Sequence, residues 1–248
     1  MEQYLQDWYK NNVKQAGSSE TNKSSRRGYI PEIIVDHITE GSAQSCINWF
    51  NSPNNTQSSA HFLVARDGKV YQFVSIEDNA WANGIAISDI PKAKAAIVKS
   101  KGVNPNWYSV SIEHEGVYKE THGALTPEQL QSTIMLHRYI IAYVKNKYGK
   151  TIPADRDHIL GHYEIDPVRK PFCPGEKYPF DTIITELNKK EEAKLTWKDI
   201  LKKVASAPEE WERAINTAVN LASIQGDVGD LRQLKFLPTL IEKIYNNK

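Results

Sequence analysis

Short apolar runs interleaved with capped helical segments predict an α/β protein: a central mixed β-sheet flanked by helices, followed by a small C-terminal helical unit. Three observations carry that prediction. Ile33-Ile34-Val35 is a continuous apolar run, as expected of a strand buried on both faces. His61–Ala65 and Val70–Val74 read as two apolar strands, joined by Arg66-Asp67-Gly68-Lys69, whose Asp-Gly pair marks a hairpin turn. Thr126-Pro127-Glu128-Gln129 joins a cap to a first-turn proline and opens a long helix.

In chain order, residues 1–16 place Tyr4, Leu5, Trp8, Tyr9, Val13 and Ala16 on one side at helical spacing, predicting a short amphipathic helix. Gly17–Arg27 is small, polar and without periodicity, and reads as a linker or mobile loop, so residues 1–28 form an N-terminal helix and linker. The main domain, 29–188, begins with the Ile33 strand. Ser42 caps a helix through Phe50, the hairpin follows, and a helix covers Lys92–Lys99. Ser109–His114 alternates, with Val110 and Ile112 on one face and Ser109, Ser111 and Glu113 on the other. The Thr126 helix points Leu130, Ile134, His137 and Ile141 inward and closes at Gly149. A charged stretch, LNKKEEAK, introduces 189–248. There Ser206-Ala207-Pro208-Glu209 starts a helix with Trp211, Ile215, Ala218 and Ala222 on one face.

Of the 248 residues 40% are hydrophobic and 25% charged, ordinary for a globular chain. A net charge of +1 without a long basic block argues against nucleic acid as a partner. No run approaches the roughly 18 apolar residues of a membrane span. The start, MEQYLQDWYKNN, lacks the basic and apolar regions of a secretory signal, so the expectation is synthesis in the cytoplasm without a signal peptide. Two cysteines, Cys46 and Cys173, cannot build a disulfide framework.

Several residues could carry chemistry. His37 ends the buried strand, where a hydrogen-bonded core histidine is the ordinary alternative to a ligand. His162 follows a glycine and precedes Asp166-Pro167. Cys173 lies in Lys170-Pro171-Phe172-Cys173-Pro174-Gly175, a turn poorly suited to a thiol that merely fills a core. Two imidazoles and a thiolate suit an open tetrahedral zinc site, although His158, four residues before His162, offers a rival spacing. Glu113 is a carboxylate within an apolar strand, costly to bury unless paired or functional. Facing solvent at a strand end is its alternative, and Glu115 on the same face is its competitor. His137 reads as core, His61 as the start of a strand that could line a cleft, His114 and His122 as surface positions, and Cys46 as buried and inert.

Six blocks in order bring a family into view: Ile34-Val35-Asp36-His37-Ile38-Thr39; Ser59–Val64 with Asp67-Gly68-Lys69-Val70-Tyr71; Ala80-Trp81; Asn106–Glu113; Gly161-His162-Tyr163-Glu164-Ile165; and Cys173-Pro174-Gly175. From Pro31 to about Ile184 the chain resembles the zinc-dependent N-acetylmuramoyl-L-alanine amidases of the amidase_2 and peptidoglycan recognition protein type, most of all the phage or prophage endolysins of Gram-positive bacteria.

The resemblance implies one zinc ion held by His37, His162 and Cys173, with Glu113 activating the zinc water. It implies bacterial peptidoglycan as the partner, cut between N-acetylmuramic acid and L-alanine. Trp81, Asn83, Tyr163 and Lys170 are the expected substrate contacts. Two departures stand out. Trp81-Ala82-Asn83-Gly84 replaces the family's Trp-His-Ala-Gly, and Pro171 occupies the slot of a lysine two residues before the third ligand, leaving Lys170 as the nearest. The unit at 189–248 is expected to bind cell wall, the enzyme acting there after release. A non-catalytic peptidoglycan-binding module on the same fold is the alternative reading. A glycoside hydrolase using Glu113 and Glu115 is a third.

Overall fold

The computed structural model, which describes residues 1–189, is built around a six-stranded sheet. The elements run α1 (Gln3–Asn12), β1 (Val13–Gln15), β2 (Lys23–Ser25), β3 (Ile33–Ile38), α2 (Ala43–Phe50), β4 (Phe62–Val64), β5 (Val70–Gln72) and β6 (Asp78–Ala80). A 3₁₀ turn (Ile87–Lys92) leads to α3 (Ala96–Lys101), and a second (Pro105–Tyr108) leads to β7 (Ser109–His114). Then come α4 (Tyr118–Thr121), α5 (Pro127–Tyr148), β8 (Ile159–Gly161), α6 (His162–Ile165) and α7 (Phe180–Asn188). The sheet order is β1-β5-β4-β7-β3-β8, antiparallel between β4 and β5 and parallel elsewhere; β2 and β6 form a separate antiparallel pair. The mixed, helix-flanked sheet is the architecture expected from the sequence, whereas the helices expected beyond 189 lie outside the described residues.

Local chemistry explains most elements. Ser42 Oγ accepts from the Ser45 N–H at the start of α2, and Thr126 Oγ1 accepts from the Gln129 N–H at the start of α5. Gly149 ends α5 in the left-handed region, as Gly68 turns the β4–β5 hairpin. Ile33, Ile34 and Val35 are fully buried because the sheet is covered on both sides. On one side Ile34, Val110 and Ile112 pack with Leu136, Ile140 and Val144 of α5; on the other Ile33 and Val35 pack with Val98, Tyr108 and Leu160.

Four expectations need correction. The first helix ends at Asn12, and Val13–Gln15 instead add an edge strand parallel to β5. Leu5 and its neighbours pack against α5, so this segment belongs to the main unit. Gly17–Arg27 is no linker: β2 pairs with β6, and Arg26, 4% exposed, donates to the carbonyls of Ile76, Trp107 and Ser109. The helix expected at Lys92–Lys99 is split, because the Lys94 and Ala95 N–H groups both donate to the Glu164 carbonyl instead of continuing a helical ladder. Finally, α5 is rotated from its expected face. Gln129, Thr133, Leu136, His137, Ile140 and Val144 are buried against the sheet, while Leu130 and Ile134 turn to a cluster shared with Ile183 of α7.

Candidate active site

Three adjacent parallel strands, β7, β3 and β8, end on the same edge of the sheet, where open α/β sheets place their ligands. The register sets Glu113 beside His37 and Gly161 beside Asp36, so His162, the residue after β8, falls next to His37. The two imidazoles meet edge to face with centroids 4.4 Å apart. Cys173 arrives on the turn after α6. Its carbonyl accepts from the Tyr163 N–H at 2.9 Å, and its Sγ accepts from the Ile38 N–H at 3.4 Å, which docks the thiol on the end of β3. Gly161 permits this approach: a Cβ there would lie 2.6 Å from the Tyr163 ring and 2.8 Å from Pro174 Cδ. The candidate ligand atoms of His37, His162 and Cys173 all lie within 4.8 Å of one another.

The cluster is electrostatically unusual. Burial, the His162 ring and Lys170 push His37 well below its ordinary pKa, against the pull of Asp36 and Asn83. Burial, with Lys170 and Arg169, lowers His162 to about 3. Both rings are therefore neutral near pH 7 with lone pairs to offer, and the Nε2 of each is buried without a partner. Burial and the nearby Glu113 raise the Cys173 thiol. Burial raises the Glu113 carboxyl to about 7, with Lys170 pulling it down, and its Oε2 is also buried and unpartnered. Glu115 is engaged differently. Its Oε1 accepts from the Ala43 N–H at the start of α2 (2.9 Å) and its Oε2 from the Arg66 N–H (2.8 Å), so it ties loops together.

These groups open onto a groove of about 940 Å³ that Trp81 and Lys170 also line. Two expected substrate contacts are not on its wall. Asn83 is 1% exposed and serves as internal framework: its amide donates to Ser109 Oγ (2.8 Å) and its N–H to Asn106 Oδ1 (2.6 Å). Tyr163 packs in the α5–α7 cluster, with Arg156 donating to its hydroxyl and the Lys94 ammonium 5.0 Å from its ring centroid. His114, expected at the surface, is buried at 2% exposure, bonded to the His37 carbonyl and Thr133 Oγ1. His137 is core, its Nε2 3.3 Å from Asp36. His61 is buried between Ser111 and Arg26, off the groove. His158 pairs with Asp155. Cys46 is buried on α2, its thiol raised by burial, yet it borders the groove. The sequence reading passed over Glu40, Trp49 and Arg169, which also line the groove. No spacing pattern marks them, because each reaches the site from a different loop or helix end.

Fold and site together define an α/β protein with a buried two-histidine, one-cysteine cluster beside a carboxylate, open to a large groove and able to hold a metal. Residues 27–176, more than half of the chain, match the family profile Amidase_2, N-acetylmuramoyl-L-alanine amidase, and the chain belongs to that family. It is similar to N-acetylmuramoyl-L-alanine amidase A of Achromobacter lyticus, 32% identical over 40% of this chain and 45% of that protein. It is also similar to 1,6-anhydro-N-acetylmuramyl-L-alanine amidase AmpD of Haemophilus influenzae, 26% identical over 62% of this chain and 72% of that protein. The chain thus matches less than half the length of the first relative. A crystal structure of an AmpD derivative superposes with a TM-score of 0.54 at 22% identity, covering 71% of this chain and 94% of that one, which establishes the shared fold.

Proposed function

We propose that the protein hydrolyses the amide between the lactyl group of N-acetylmuramic acid and L-alanine in peptidoglycan, with zinc as its cofactor. The observation that carries this reading is the convergence of His37, His162, Cys173 and Glu113 on one groove in a chain of the amidase family. The donors fit zinc: two neutral imidazoles with unpartnered buried nitrogens and one thiol leave room for a fourth, exchangeable position. Bound there, zinc would supply Lewis-acid chemistry, polarising a carbonyl and bringing the pKa of water to about 7.

The chain's own residues supply the proton transfers and the orientation. A water oxygen adds to the lactyl carbonyl carbon as the Glu113 carboxylate takes its proton. Glu113 then returns that proton to the alanine nitrogen as the C–N bond breaks, giving a free carboxylic acid on the sugar and a free amine on the peptide. A carboxyl poised near neutrality suits both halves of that exchange. Lys170, which has no ion-pair partner among the described residues, contributes positive charge close to Glu113 and both imidazoles. The register with β7 and β8 holds His37 in place. The segment 189–248 is proposed to bind the wall; a fluorescent fusion of it should label whole walls, and failure to do so would remove that role.

Digestion of purified peptidoglycan tests the proposal. New free N-terminal alanine should appear without new reducing sugar ends. Reducing ends without free alanine would overturn it in favour of glycoside hydrolysis.

A further inference from the structure

We propose that the groove holds a second recognition surface, a tryptophan shelf of Trp49 and Trp81 that stacks sugar rings of the glycan strand next to the muramoyl residue being cut. The proposal rests on the amidase reading for the identity of the sugar, and on the following geometry for the shelf.

Trp49 lies in the last turn of α2, whose Cys46 and Phe50 are buried, yet Trp49 itself is 49% exposed and lines the groove. It is not a loose surface residue, since its Nε1–H donates to Ser58 Oγ at 3.0 Å. Trp81 is tied to the next serine. Its backbone N–H donates to Ser59 Oγ (2.8 Å), its carbonyl accepts from the Ser59 N–H (3.2 Å), and its Nε1–H donates to Ser24 Oγ (3.0 Å). Trp49 through its indole and Trp81 through its backbone are thus tied to consecutive serines of one loop, and Ser24 holds the Trp81 indole. That loop is itself braced, with the Ser58 carbonyl accepting from the side-chain amides of Asn22 and Asn55.

Because protein hydroxyls already satisfy both indole N–H groups, what the rings offer a ligand is their apolar, electron-rich faces. The C–H face of a pyranose matches such a face. The neighbouring polar groups are neutral hydroxyls and amides, Ser24, Gln57 and Ser58 among them, which suit sugar hydroxyls. The groove's carboxylates and lysine (Glu40, Glu113 and Lys170) and Arg169, which pairs with Asp166, act on the metal-ligand cluster, and Arg27 sits over the Trp107 ring at 4.8 Å. A volume of about 940 Å³ exceeds the need of one muramoyl-alanine unit and accommodates further sugars. A rigid aromatic pair continuous with the cutting site gives the protein a preference for polymeric glycan over a single soluble muropeptide.

Binding of a peptide-free glycan chain of alternating N-acetylglucosamine and N-acetylmuramic acid to the full chain tests this without any hydrolysis. The indole N–H resonances of Trp49 and Trp81 should shift on titration of the wild-type protein. Trp49→Phe should retain binding and Trp49→Ala weaken it by about tenfold. The ratio of kcat/KM on glycan chains to that on a single muramoyl-peptide should fall in Trp49→Ala by a similar factor. Unshifted indole resonances, or equal glycan affinity of wild type and Trp49→Ala, would overturn the shelf. Glycan binding without release of N-terminal alanine from wall would instead leave the shelf standing and remove the amidase reading.

Discussion

His37 and Glu113 are register partners on adjacent parallel strands, β3 and β7. Sheet pairing rather than a flexible loop therefore fixes the spacing between a candidate metal ligand and the candidate catalytic carboxylate beside it. The next strand outward, β8, delivers His162 by the same device, with Gly161 paired to Asp36. Only Cys173 depends on a turn, and two backbone N–H bonds anchor that turn, one to its carbonyl and one to its sulfur. Sites built on rigid elements hold their geometry better than sites built on loops, and the predictions below follow from that division.

Purified wild-type protein should hold one zinc per chain, and His162→Ala should fall far below one equivalent while keeping its fold, because the remaining imidazole and thiol cannot close a tetrahedral site. Elemental analysis alongside circular dichroism decides it. Full zinc content in His162→Ala would mean that other residues are the ligands.

Glu113→Ala should retain zinc and fold but lose activity by roughly 10²–10⁴-fold, the ordinary contribution of a general acid and base. Glu115→Ala should behave differently, lowering stability by about 1–3 kcal/mol through the two backbone N–H groups it leaves unpaired, with a milder effect on turnover. Equal and small losses of turnover from both changes would remove Glu113 from the mechanism.

Gly161→Ala should loosen the Cys173 turn, since the added Cβ meets Tyr163 and Pro174 well inside contact distance. A drop in zinc affinity of roughly 10–100-fold, read by competition with a chelator, is expected of a change that displaces a ligand's support. Unchanged affinity would show that the turn adapts without moving the thiol.

Arg26→Met should destabilise the fold by about 3 kcal/mol in denaturant unfolding, because it strands buried carbonyls of Ile76, Trp107 and Ser109. A change below about 0.5 kcal/mol would place Arg26 among ordinary surface positions.

Arg26 also shows why parts of the fold were not legible in the sequence. Composition alone reads Gly17–Arg27 as a solvated linker, but a buried arginine is held by carbonyls distant in the chain, which no local pattern reveals. The same applies to α5. Its buried face includes Gln129, which donates to the carbonyls of Val64 and Glu115, and Thr133, which is bonded to His114, so apolar periodicity pointed to the wrong side. Val13 fits helical spacing and strand propensity equally, and pairing with Val70 decides for the strand. By contrast β3, the hairpin and the caps of α2 and α5 follow from local chemistry and were readable. The site was readable for a different reason: the blocks around His37, Glu113, His162 and Cys173 carry the family resemblance. Tyr163 lies in one of those blocks and Asn83 follows another, yet both turn into the framework, and block membership says nothing of which way a side chain faces.

The most direct test of the account is hydrolysis of a synthetic muramoyl-peptide in heavy-oxygen water, with the products weighed by mass spectrometry. The account predicts one heavy oxygen in the lactyl carboxylate of the sugar fragment, an unlabelled peptide with a free alanine amine, and loss of the reaction on zinc removal with recovery on its return. Label at a sugar anomeric carbon or in a peptide carboxylate, or full activity after complete zinc removal, would contradict it.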